Sequence, residues 1–151
     1  MKQWKSVDDV LEFAINNEQK AVDFYTEMAG KAQSAHVKKI FEDNAKEEKG
    51  HKAKLEAVKS GKKLLSEEKK ILDLKISDYL VDMSLDQDFD FQSALILAMK
   101  REKAAFRLYS DLAGQTQDGN LKATFLALAQ EEAKHKLHFE IEYDNEILKE
   151  N

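Results

Sequence analysis

The sequence predicts an all-α fold: an antiparallel four-helix bundle of two helical hairpins joined by a long crossover with a short helix. Three observations lead there. The 151 residues include no proline and five glycines, so helix breakers are scarce. Apolar residues recur at three- and four-residue intervals over four long stretches, and no alternating stretch competes as a strand. The chain also repeats itself. An offset of 84 positions carries His51 onto His135 and, without a gap, Ala14 onto Ala98, Glu18 onto Glu102, Tyr25 onto Tyr109, Phe41 onto Phe125 and Glu48 onto Glu132. A single domain over residues 1–151 is the expectation at this length.

The elements follow in order. Ser6-Val7-Asp8-Asp9 starts the first helix, with the Ser6 hydroxyl capping free N–H groups and the acids suiting the positive end of the dipole. Val7, Val10, Leu11, Ala14, Ile15, Ala21, Val22, Tyr25, Met28 and Ala29 keep helical spacing, and Gly30 is the expected stop. After the polar turn 31–34, the second helix carries Phe41, Asn44, Ala45, Leu55 and Val58 on one face and ends near Ser60-Gly61. So short a turn makes the pair antiparallel.

In the crossover, about 61–89, Ser66-Glu67-Glu68 is expected to cap a short helix through Leu74, and Ser77-Asp78 another through Met83. Leu64, Leu65, Ile71, Leu72, Leu74, Ile76, Tyr79, Leu80 and Val81 are expected to give that segment apolar surface to bury. The third helix opens near Asp90, carries Leu95, Ala98, Met99, Ala105, Phe106, Tyr109 and Leu112, and closes at Gly114. The fourth runs from about Asn120 to Leu148, with Leu121, Phe125, Leu128, Ala129, Phe139 and Tyr143 inward. The hairpins therefore span about 6–60 and 90–148.

Composition narrows the function. A net charge of −5 with no long basic run argues against nucleic acid or an anionic membrane as partner. The absence of cysteine excludes disulfides, thiolate metal sites and cysteine nucleophiles. No apolar signal core follows Met1 and no apolar run has membrane-spanning length, so a cytoplasmic location is expected.

Most of the 29 acids fall on polar faces, where solvation explains them. Four do not. Glu18 lies on the seam Leu11, Ala14, Ala21, Tyr25, and Glu102 on the matching seam Leu95, Ala98, Ala105, Tyr109. Glu48 falls between Phe41 and Leu55, and Glu132 between Phe125 and Phe139, each at seven-residue spacing. His51 and His135 share those seams. With the turns centred near Gln33 and Gln117, the two acids of each hairpin lie equally far from the bend, about 22 Å at the helical rise.

Buried carboxylates must be protonated, paired with a cation or bound to metal. No Lys or Arg is expected on the inner seams, since Lys20, Lys49, Lys100 and Lys103 take outer positions. Four carboxylates carry −4, which two divalent cations cancel. Oxygen-rich ligands with one nitrogen per metal suit iron(II) or manganese(II). Glu47 and Glu131 remain rival ligands through an i, i+4 pairing with the histidines. A metal-free bundle whose acids share protons is the bland alternative. His36 and His138 are expected at the surface or edge, and Trp4 packs the N-terminus or a partner chain.

A Glu from each of two helices and Glu-x-x-His from each of the other two is the ligand set of ferritin-like di-iron carboxylate proteins. Within them the chain resembles the rubrerythrin branch, through Glu18-Gln-Lys-Ala-Val-Asp-Phe-Tyr25, Glu102-Lys-Ala-Ala-Phe-Arg-Leu-Tyr109, Phe41 through His51 and Phe125 through His135. The resemblance implies a ferritin-like bundle holding two iron ions, with manganese the alternative. It implies reaction with peroxide or dioxygen, an external electron-donor protein and a homo-oligomer, a dimer. Glu18, Glu48, Glu102 and Glu132 would hold and bridge the metals, His51 and His135 would be terminal ligands, and Tyr25 and Tyr109 would hydrogen-bond ligands. Two departures matter. No cysteine-bound rubredoxin domain is expected, and Ala105 stands where rubrerythrins tend to carry a further Glu. A binding or storage module without turnover is therefore the second expectation.

Overall fold

The computed structural model describes residues 4–61 and 68–150. Helix α1 spans Val7–Lys31, α2 Ala35–Gly61, α3 Glu68–Leu72, α4 Phe91–Gly114 and α5 Gly119–Glu150, with a 3-10 turn at Ile76–Asp78. Among the described residues there is no strand. The Ser66 cap, Leu64 and Leu65 lie outside the described residues. Leu80, expected to bury apolar surface, is exposed.

Three helix starts share one device. The N–H three residues on donates to a side-chain oxygen: Asp9 to Ser6 Oγ at 3.1 Å, Val37 to Ser34 Oγ at 3.1 Å and Ser93 to Asp90 Oδ1 at 2.8 Å. The Ser93 amide, and then its hydroxyl, hold the Asp90 carboxyl below its ordinary range. Two expectations are corrected at the helix ends. Gly30 does not stop α1, which runs on to Lys31 before Ala32 turns extended at φ −67°, ψ 136°. The expected helix from Ser77 to Met83 is only the 3-10 turn, because Tyr79 is drawn into a bond of its own.

The chain divides into two compact units, Met1–Ile76 with Gln115–Asp118, and Ser77–Gly114 with Gly119–Asn151. In the first, α1 and α2 form an antiparallel hairpin on which α3 packs through the buried Ile71. Register is legible from two bonds: Lys59 Nζ donates to Glu12 Oε2 at 2.7 Å and Lys52 Nζ to Gln19 Oε1 at 2.9 Å. Seven residues forward on α1 match seven back on α2, as antiparallel helices require. Tyr25 stacks on Phe41 across the pair, with centroids 6.1 Å apart, and Trp4 meets Phe13 edge-on at 5.4 Å.

In the second unit α4 and α5 pair in the same manner. Leu95, Ala98, Tyr109, Leu112, Leu121, Phe125, Leu128, Ala129 and Phe139 are buried as their spacing predicts. Phe106 departs from its expected inward place and is 39% exposed, since it stands on the side of α4 away from that row. Ahead of α4, Tyr79 is buried at 3% exposure, and its hydroxyl donates to Asp111 Oδ2 at 2.5 Å. Burial, and then the Asp111 carboxylate, raise the Tyr79 pKa well above the usual phenol range.

That clamp is testable. Tyr79→Phe should lower unfolding free energy by about 1.5–3 kcal/mol in urea denaturation at neutral pH, the usual worth of a hydrogen bond to a charged group. A phenol whose folded pKa is raised contributes stability that is complete below its unfolded pKa and is lost above it. Wild-type stability should therefore decline as pH climbs past about 10, and the Phe variant should lack that part of the decline.

Candidate metal centre

Each hairpin assembles its own triad. In the first, Glu18 comes from α1, and Glu48 and His51 come from one turn of α2. All three side chains are buried, and one donor atom from each lies within 4.8 Å of the other two. His51 Nδ1 is 3.2 Å from Glu48 Oε1 and 3.9 Å from Glu18 Oε1. In the second, Glu102 of α4 meets Glu132 and His135 of α5, again with donor atoms within 4.8 Å of one another. His135 Nδ1 is 3.6 Å from Glu132 Oε1 and 3.7 Å from Glu102 Oε1. The i, i+3 spacing of Glu48–His51 and Glu132–His135 puts both donors on one helix face, and the antiparallel neighbour supplies the third.

The rival ligands are placed differently: Glu47 and Glu131 are exposed, whereas Glu48 and Glu132 are buried. His36 and His138 are exposed. Tyr25 and Tyr109 are buried two turns along their helices from Glu18 and Glu102, and Ala105 is half-buried.

One expectation fails. A cation does sit on an inner seam: Arg101 is 5% exposed. Its Nη1 donates to Glu132 Oε2 at 2.5 Å and to Glu102 Oε2 at 3.3 Å. The signal was present, because Leu97, Arg101, Leu108 and Leu112 fall on one helical row whose other members are all buried. A charged residue beside a seam was read as a surface residue, although an arginine stem can lie along apolar surface while its head turns to a carboxylate. The offset of 84 places Asn17 opposite Arg101, so the repeat breaks at this position.

The residues fit an oxygen-preferring divalent metal. Each triad offers two carboxylates and one imidazole from rigid helices at mutual distances a single ion can span, and burial keeps water from competing.

The family model described as rubrerythrin matches residues 9–143. No curated protein matches the chain by sequence. Among solved structures, a Thermotoga maritima protein described as a ferritin-like diiron-carboxylate protein is similar at a TM-score of 0.73 and 20% identity, over 92% of this chain and 95% of that one. That similarity establishes the ferritin-like fold expected from the sequence.

In the chelated protein, Glu132→Gln should cost about 2–3 kcal/mol by urea denaturation, because Arg101 keeps only its longer carboxylate contact. The same change at exposed Glu131 should cost less than about 0.5 kcal/mol.

Proposed function

Because the chain belongs to the rubrerythrin family, we propose that it is a di-iron protein whose iron reacts with peroxide or dioxygen. The observation that carries this reading is the pair of buried Glu/Glu/His triads, each held by one hairpin. In this reading the hairpins form one domain and the triads serve one two-metal centre. Its ligands are Glu18, Glu48, His51, Glu102, Glu132 and His135.

Bound iron would supply two electrons, one per ion, which with two protons take hydrogen peroxide to two waters, an external donor protein then restoring them. The residues do the rest. The carboxylates of Glu18, Glu48, Glu102 and Glu132 would hold the metal and offset its charge. His51 and His135 act as fixed nitrogen ligands. Burial of all six withholds bulk water, and the phenols of Tyr25 and Tyr109 orient ligands from their buried positions. A homodimer in the cytoplasm completes the proposal; among the described residues no helix is long and apolar enough to cross a membrane.

A second reading, iron or manganese binding without turnover, is favoured by one feature. Ala105 occupies the position where rubrerythrins tend to carry a further Glu.

The two readings part in a stopped-flow experiment on protein loaded anaerobically with iron(II). A redox role predicts rapid oxidation of the bound iron by peroxide or dioxygen, repeated when a reductant is supplied. A storage or structural role predicts binding of iron without repeated turnover. In either case Glu48→Gln should weaken iron binding by at least about tenfold, measured by equilibrium dialysis. Iron binding unchanged by that substitution rejects the assigned ligands.

A further inference from the structure

Arg101 has no part in the scheme above, yet it contacts two of the six proposed ligands. Its guanidinium is buried, and its Nη1 lies 2.5 Å from Glu132 Oε2 and 3.3 Å from Glu102 Oε2. The other oxygen of each carboxylate, Oε1, is the one nearer His135 Nδ1, at 3.6 Å and 3.7 Å. Each carboxylate is thus divided, one oxygen toward the guanidinium and one toward the imidazole. The first hairpin carries the uncharged Asn17 at the equivalent position.

We propose that Arg101 makes the two metal positions unequal, so that Glu102, Glu132 and His135 bind their ion more weakly and fill after Glu18, Glu48 and His51. The inference rests on the two-metal reading above.

Three physical consequences of the contact combine. A guanidinium does not lose its proton at any working pH, so its charge stays. An ion arriving on the Oε1 side therefore meets carboxylates whose charge is already partly offset, and it meets a fixed positive charge in a buried site where salt screens poorly. Two-oxygen binding by Glu132 or Glu102 would also make Oε2 share its lone pairs between the ion and Arg101. Arg101 acts through the ligands and not on the metal, so it is a positioning residue. It also keeps the second triad from being an uncompensated pair of buried charges before metal arrives.

Cobalt(II), added alone to the full-length chelated protein without oxygen and followed by its visible absorption and by calorimetry, tests this. The wild type should bind in two steps whose dissociation constants differ by about tenfold or more. His135→Ala should abolish the weaker step, and His51→Ala the tighter one. Arg101→Asn, which copies the first hairpin, and Arg101→Met should each strengthen the weaker step and leave the tighter one in place.

A merely structural arginine would alter unfolding free energy without narrowing the gap between steps. Two equal wild-type steps, or loss of the weaker step in His51→Ala, overturn the inference while the two-metal reading stands. So does a weaker step that both arginine variants leave unchanged. Failure of the wild type to bind cobalt or iron(II) removes the two-metal reading and the inference together. If neither arginine variant folds, equal wild-type steps or loss of the weaker step in His51→Ala still overturn the inference.

Discussion

Taking a carboxylate from water into an apolar interior costs several kcal/mol even after the surroundings relax. This chain does so four times, at Glu18, Glu48, Glu102 and Glu132, all with no exposed surface. Alanines and aromatic rings beside those positions close the interior around the acids and remove water as a partner. What remains for each acid is an imidazole, a guanidinium or a metal. The constraint explains why the histidines sit one turn beyond an acid and why an arginine is buried against two of the acids.

The scaffold is suited to holding that arrangement. A cap at the start of α1, α2 and α4 fixes where each begins, so the helical phase of every inward residue is set from its own first turn. Bonds from Lys59 and Lys52 to Glu12 and Gln19 then hold the first hairpin in one register. Exposed pairs of this kind add little to stability, yet a slip along the hairpin would break both and carry Glu18 away from Glu48 and His51. Their value lies in alignment.

Much of this was legible in the chain itself. Four helices follow from apolar spacing, and the six inward polar residues from their phase on those helices. The match at an offset of 84 positions turned two weak Glu-x-x-His signals into one strong one. What escaped was set by reach and by competition. Arg101 was missed because the spacing of Cα atoms says where a residue stands, not where a long side chain ends. The helix expected from Ser77 was lost because Tyr79 gains more from a buried bond to Asp111, a residue 32 positions away, than from one more turn of local structure. Gly30 marks a place where a helix is able to stop, while the stop itself came later, at an ordinary alanine.

The break in the repeat at Asn17 and Arg101 has a consequence for symmetry. Two identical hairpins meeting as separate subunits would carry the arginine twice or not at all. Twice would set a buried cation against the carboxylates of each Glu/Glu/His set; not at all would leave each set with its histidine alone as a possible cation. Joining the halves in one polypeptide frees each to change alone, so that one keeps a guanidinium against its carboxylates while the other has the uncharged Asn17 at the matching position.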